Sequence, residues 1–152
     1  MSNIQAYVQQ WLSHRKVVHQ MLEEINNEQL QFKPWENGMS FSQLVQHITG
    51  AMGMFATTVK NGTYTPGVKS QEFSSVEELR AKVAADTEQS EAILRSLTAE
   101  DLERPIEFFG HTMPGSVLLQ NAKDHEIHHK GQLFIYLRLL GIEKVPFFVS
   151  RG

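Results

Sequence analysis

The stretch that decides the fold is residues 115–141, GSVLLQNAKDHEIHHKGQLFIYLRLLG. Leu118, Ala122, His125, His129, Gln132, Tyr136 and Leu139 recur at alternating steps of four and three, the spacing of an inward seam on one long helix. Thr112-Met113-Pro114 leads into it, and Gly141 supplies a C-terminal stop. A seam of that length needs partners, and three further segments offer them. The first runs from about Ile4 to Glu28, with Ile4, Val8, Trp11, Val18, Leu22 and Ile25 at helical steps. The second starts at Ser40, paired with Gln43 as a capping box, carries Leu44, Ile48, Ala51, Phe55 and Val59, and closes at Asn61-Gly62. The third starts at Ser75 with a capping box through Glu78 and carries Leu79, Val83, Leu94 and Leu97.

Four such helices predict an all-α fold, a four-helix bundle formed by one domain over residues 1–152. Residues 98–113 read as irregular with one short turn at 98–102, and no strand pattern of convincing length is present. The connection from Asn61 to Ser74 exceeds an ordinary helix–helix loop. At ~3.3 Å per extended residue it spans ~45 Å, more than the ~33 Å of a 22-residue helix. The third helix can therefore run parallel to the second, and an up-down-up-down order is not forced.

Composition narrows the chemistry. The chain has 152 residues, no cysteine, seven histidines and a formal charge of −3. Without cysteine there is no disulfide scaffold, no cysteine nucleophile and no thiolate metal site, so a bound transition metal must rest on His, Asp or Glu. A mildly acidic chain with no basic cluster excludes nucleic acid as the expected direct partner. No window approaches a membrane span, and the N-terminus lacks the pattern of a signal peptide, so a cytoplasmic location is expected.

The chemically loaded segment is Asp124-His125-Glu126-Ile127-His128-His129-Lys130. His125 and His129 are four apart, so both point to one helix face with Cβ atoms ~6 Å apart and two imidazoles can converge on one ion. Taken alone the pair is equally compatible with one packed histidine and another bonded to a carbonyl. His128 points about 100° away from His129, and the seam favours His129. A third ligand is sought on the second helix, where His47 lies between Leu44 and Ala51. A lone histidine there is ordinarily a core or boundary residue, but two inward histidines already lack a partner. Three histidines from two helices would leave coordination positions open, the catalytic rather than the structural pattern.

The segments Met39-Ser40-Phe41-Ser42-Gln43-Leu44-Val45-Gln46-His47 and His125-Glu126-Ile127-His128-His129-Lys130-Gly131-Gln132-Leu133 resemble the DinB/YfiT-like family of metalloenzymes, the DNA-damage-inducible four-helix proteins rather than the polymerase of that name. Lys33-Pro34-Trp35 and the run from Tyr136 to Gly141 extend the likeness over nearly the whole chain. The resemblance implies a DinB-like bundle of up-down-down-up topology, often homodimeric. It also implies a divalent metal, zinc or nickel before iron or manganese, on His47, His125 and His129, with His128 outside the ligand set. It further implies chemistry of two kinds: a thiol S-transferase using bacillithiol or mycothiol, or a metal-dependent hydrolase. In the first the thiol arrives as a small-molecule cosubstrate, in keeping with a chain that has none of its own. A metal-binding stress-response protein without turnover, or a dimerising helical bundle, is the alternative. No catalytic base stands out.

The remaining candidates take plainer roles. His14 and His19 do not share a helix face and are expected at the surface or boundary, and His111 in a loop. Asp124 and Glu126 flank His125 and could bond imidazole N–H groups, but Glu126 is expected as ordinary surface charge. Trp35 and Tyr136 are candidates for the border of a substrate pocket, but a core role is the expectation for both.

Overall fold

The computed structural model describes residues 2–151. Four long helices dominate it: α1 (Ser2–Leu22), α2 (Phe41–Asn61), α3 (Val76–Arg95) and α5 (Gly115–Leu139). Between the last two lie a short helix, α4 (Ala99–Glu103), and an antiparallel hairpin of β1 (Pro105–Phe108) and β2 (His111–Pro114).

Capping chemistry sets the helix ends where polar side chains allow it. Ser40 and Gln43 form the reciprocal box at the start of α2, and Gly62 ends that helix at φ 77°. At α3 the Ser75 hydroxyl accepts from the Glu78 N–H, but Glu78 reaches back to the amide of Ser74 instead of closing the box on Ser75. The first helix ends earlier than its periodicity suggests, at Leu22, because Asn26 caps a separate 3-10 turn (Asn27–Gln29) in a reciprocal box with Gln29. Ile25 still reaches the core from the intervening turn.

Interhelical hydrogen bonds fix the directions. Tyr7 bonds Leu119, Gln10 bonds Lys123 and Arg15 bonds Glu126, so α1 and α5 run parallel. Thr49 with Asp86 and Lys60 with Ser96 make α2 and α3 parallel. Arg15 with Thr87 and Arg80 with Leu22 make α1 antiparallel to α3, and Tyr136 with Met39 makes α2 antiparallel to α5. The order is up-down-down-up, as the long second connection allows. That connection is pinned on α2: the Gln46 side chain exchanges two 2.8 Å hydrogen bonds with the backbone of Gln71, and the Thr58 hydroxyl accepts from the Thr65 amide at 3.0 Å.

The hairpin corrects the reading of 98–113 as irregular. Its strands are four residues each and its turn is Phe109-Gly110, at φ 50° and 83°, where an Asn-Gly or Asp-Gly pair would have signalled the turn. His111 therefore stands exposed in a strand and not in a loop. Gly115 marks a close approach: a Cβ there would lie 2.6 Å from the Asp101 carbonyl and 2.8 Å from Val59.

The interior holds two apolar clusters. One gathers Val17, Met21, Leu44, Ile48, Leu79 and Leu133 at one end of the bundle; the other gathers Val8, Trp11, Met52, Phe55, Leu94 and Leu118 at the opposite end. Between them lies a charged layer. Arg15 and Glu126, 0% and 1% exposed, are joined by Nε–Oε2 and Nη2–Oε1 contacts of 2.8 Å each, and Trp11 Nε1 donates to the same carboxylate at 2.9 Å. Glu126 is thus a core residue, not a surface charge. The signal was present in both apolar stripes: Arg15 interrupts Trp11 and Val18, and Glu126 interrupts Ala122 and Leu133. Trp35 also departs from expectation. It is 61% exposed, in a turn where its ring covers Gly38. Tyr136 is buried, as expected, and donates to the Met39 carbonyl.

Candidate metal centre

The antiparallel pairing of α2 and α5 brings His47 opposite His125 and His129. Their Nε2 atoms (His47, His125) stand 3.1 Å apart, and the ring centroids of the three pairs are 4.9, 4.7 and 4.4 Å apart. One ligand atom from each lies within 4.8 Å of the others, the group among the described residues that could hold a metal ion. Two nitrogens at ~2.0–2.1 Å from a tetrahedral ion stand ~3.3 Å apart, close to the 3.1 Å found here.

The three rings do not face the bundle interior as the seam suggests. His125 and His129 are half-buried, Gln132 is exposed and Leu139 is 59% exposed. A strict seven-residue repeat drifts by about 20° per heptad around a straight α-helix, so the row Leu118, His125, Gln132 and Leu139 walks from the core to solvent, while Tyr136 on the other row stays buried. The line that stays buried is Leu119, Ala122, Glu126, Lys130, Leu133 and Leu137, with a mean step near the helical period. Glu126 turned inward to Arg15 places His125, one residue earlier, toward α2.

Electrostatics favour neutral rings at His125 and His47. Burial, with His129, His47 and His128 adding repulsion, brings His125 down to about 4. His47 is also lowered, by burial first and His129 second. Neutral imidazoles are the form that binds metal. Gln132 Oε1 lies 2.7 Å from His129 Nδ1, placing an acceptor against this ring nitrogen. Gln132 is the partner that sequence reasoning placed only as a seam position. His125 Nδ1 is buried without a protein partner, and Asp124 turns instead to Gln120. His128 is exposed and packs edge-on against His129 from outside. His14 and His19 lie elsewhere at the core boundary, bonded to Lys130 Nζ at 2.8 Å and Thr87 Oγ1 at 3.1 Å.

The wall carrying His47 opens onto a cleft of about 490 Å³ between α2 and the connection that crosses it, with Met39, Met54, Tyr64 and Lys69 on its sides. Phe55 also borders His125, ring centroids 6.5 Å apart. The arrangement offers three imidazole nitrogen donors converging beside an open space that His47 lines. A donor set of imidazoles alone suits zinc, nickel or ferrous iron.

Comparison with known proteins agrees with this architecture. The chain is 40% identical over 147 residues to the uncharacterised protein YjoA of Bacillus subtilis (strain 168), covering 95% of each. The crystal structure of that DinB-like protein superposes with a TM-score of 0.85 at 39% identity, over 97% of this chain and 99% of that one. YfiT from Bacillus subtilis, described as "a probable metal-dependent hydrolase with an unusual four-helix bundle topology", superposes at 0.73 with 16% identity, over 93% and 89%. The mycothiol-dependent maleylpyruvate isomerase superposes at 0.68 with 15% identity, over 86% of this chain and 60% of that one. At that identity the last two share the fold. The model of the DinB family matches residues 1–151, and with the four-helix order and a near full-length relative at 40% identity, this chain belongs to the DinB family.

Proposed function

We propose that this protein is a metal-dependent enzyme in which His47, His125 and His129 hold one divalent ion, zinc or nickel, and present it to a small-molecule substrate in the adjoining cleft. The observation that carries the reading is the convergence of three imidazoles, one of which, His47, lines an open cleft. Bound there, the ion supplies Lewis acidity toward a substrate oxygen or sulfur. His47 and His125 would hold it from facing helices, and the Gln132 side chain, 2.7 Å from His129 Nδ1, would orient the His129 ring. Met39, Met54 and Tyr64 give the cleft apolar surface beside His47.

The reaction classes supported are hydrolysis and thiol S-transfer. YfiT's description names a metal-dependent hydrolase, and the isomerase's names a thiol dependence. The absence of cysteine fits the second, since the thiol would then come with the cosubstrate.

Protein purified without an affinity tag should contain near-stoichiometric metal by elemental analysis. His47→Ala and His129→Ala should each lose it, while His128→Ala keeps it. Retention of tight metal by both of the first two variants overturns the site. Turnover of monobromobimane or chlorodinitrobenzene with a panel of small thiols, abolished by a chelator, tests S-transfer. A panel of esters and amides tests hydrolysis.

A further inference from the structure

Gly50 lies one helical turn beyond His47 on α2. Glycine in a helix interior costs stability relative to alanine, and packing does not explain it here, because a Cβ at Gly50 would meet nothing within 4 Å. The contrast is with Gly115, where a Cβ would strike backbone, and with Gly67 in the crossing connection, whose Cβ would lie 3.4 Å from Met54 and 3.5 Å from the Gly50 carbonyl. The connection thus crosses close over α2 at Gly67, and the space above Gly50 remains open. That space is the cleft lined by His47, and a second cavity of about 290 Å³ on the α3 side of the same connection also reaches Gly50.

The cleft has a consistent character. Apart from His47, its one ionisable side chain of fixed charge is Lys69, at the rim; no carboxylate lines it. Met39, Met54, Tyr64 and Val68 supply apolar surface, and Val68 is 77% exposed although large and aliphatic. Gln43, Gln46 and Ser70 add neutral polar groups to the same lining. Apolar and uncharged polar side chains around an open floor, with a lone cation at the edge, match a ligand with an apolar body and an anionic end.

We propose that the cleft takes a small organic anion whose apolar body lies on the bare backbone of Gly50 between Met54 and Tyr64, whose carboxylate meets Lys69, and whose reactive end reaches the three histidines. This rests on the reading of His47, His125 and His129 as a metal site, but the contacts at Gly50 and Lys69 are tested separately.

The probes are benzohydroxamate, 4-carboxybenzohydroxamate and phenylacetate, titrated into the full chain with and without zinc. The carboxylated hydroxamate should bind the zinc form about three- to fivefold more tightly than the plain one, the margin of a solvent-exposed ion pair. Lys69→Gln should erase that margin. Gly50→Ala should raise Tm by about 2–3 °C, since it replaces a helix-interior glycine. It should nonetheless weaken both hydroxamates by about tenfold, since its methyl occupies the floor. Zinc content should be unchanged in both variants. Equal affinity for the two hydroxamates, or a margin that survives Lys69→Gln, overturns the anion preference. Unchanged affinity or a lowered Tm in Gly50→Ala overturns the role of the bare floor. A wild-type chain that holds no zinc overturns the metal reading instead. In that case phenylacetate still decides the inference: amide shifts at Gly50 and Lys69 support it, and their absence sinks it.

Discussion

Arg15 and Glu126 form the costliest pair in the molecule to break. Both are removed from water, and the carboxylate is fully engaged by the guanidinium and the Trp11 indole, while Arg15 Nη1 donates to Thr87 at 2.9 Å. Removing one partner of a buried pair leaves the other charge uncompensated, at a cost of about 3–5 kcal/mol, whereas replacing both with apolar groups of similar volume is often neutral. Glu126→Ala should therefore lower the free energy of urea unfolding by about 3–5 kcal/mol, and Arg15→Met with Glu126→Leu should recover more than half of that loss. A double variant no better than the single one would show that the pair is needed for more than mutual compensation. The three histidines could be read from sequence because their spacing is local to one helix and a single position on another. Glu126 could not, because its burial depends on α1 lying parallel to α5. That neighbour is set by the topology, not by any residue within a turn of Glu126.

At the scale of elements, what was legible followed from side chains that act on their own backbone. Ser40, Gln43, Ser75 and Gly141 each announce a helix end by bonding, or freeing, groups within three or four residues. The hairpin was not legible, because four-residue strands carry almost no periodicity and Phe109 is a poor residue for a turn with positive φ. Its position is enforced by tertiary contact. The Gly115 amide donates to the Arg104 carbonyl at 3.2 Å, and the α4 backbone presses on Gly115 so closely that a methyl has no room. Gly115→Ala should thus cost about 1–3 kcal/mol in thermal or urea unfolding, although alanine is the better helix former. An unchanged Tm would mean that α4 and the start of α5 can separate freely. The Gln46 clamp on Gln71 gives a second test at this scale. Gln46→Ala should leave the global Tm within about 2 °C but speed hydrogen exchange and proteolysis in residues 66–72, since the crossing connection opens locally before the bundle does.

Across the whole molecule, the up-down-down-up order places two parallel pairs back to back, and the charged layer between the apolar clusters spans the bundle at the height of the three histidines. This layer also makes the fold sensitive to acid. His19 is held below its ordinary value by burial first and the Arg15 guanidinium second, partly opposed by Glu126 and Glu23. His14 is held down by burial and then by Lys130, with Lys123 adding to the effect and Glu126 opposing it. A histidine whose folded pKa is depressed binds fewer protons in the native state than in the unfolded chain, where it titrates near 6.5. Stability is then complete above about pH 6.5 and falls as pH drops below it, toward the folded values. Metal-free protein should lose Tm steadily between pH 7 and 5, before most carboxylates titrate. His47 and His125 are lowered in the same sense, so they steepen the loss. His14→Gln with His19→Gln should flatten the slope of Tm against pH in that window while leaving metal uptake at pH 7.5 intact, because neither ring touches the cluster on α2 and α5. A slope unchanged by the double substitution would place the acid sensitivity in the three-histidine cluster alone, and the charged layer would then be silent to pH.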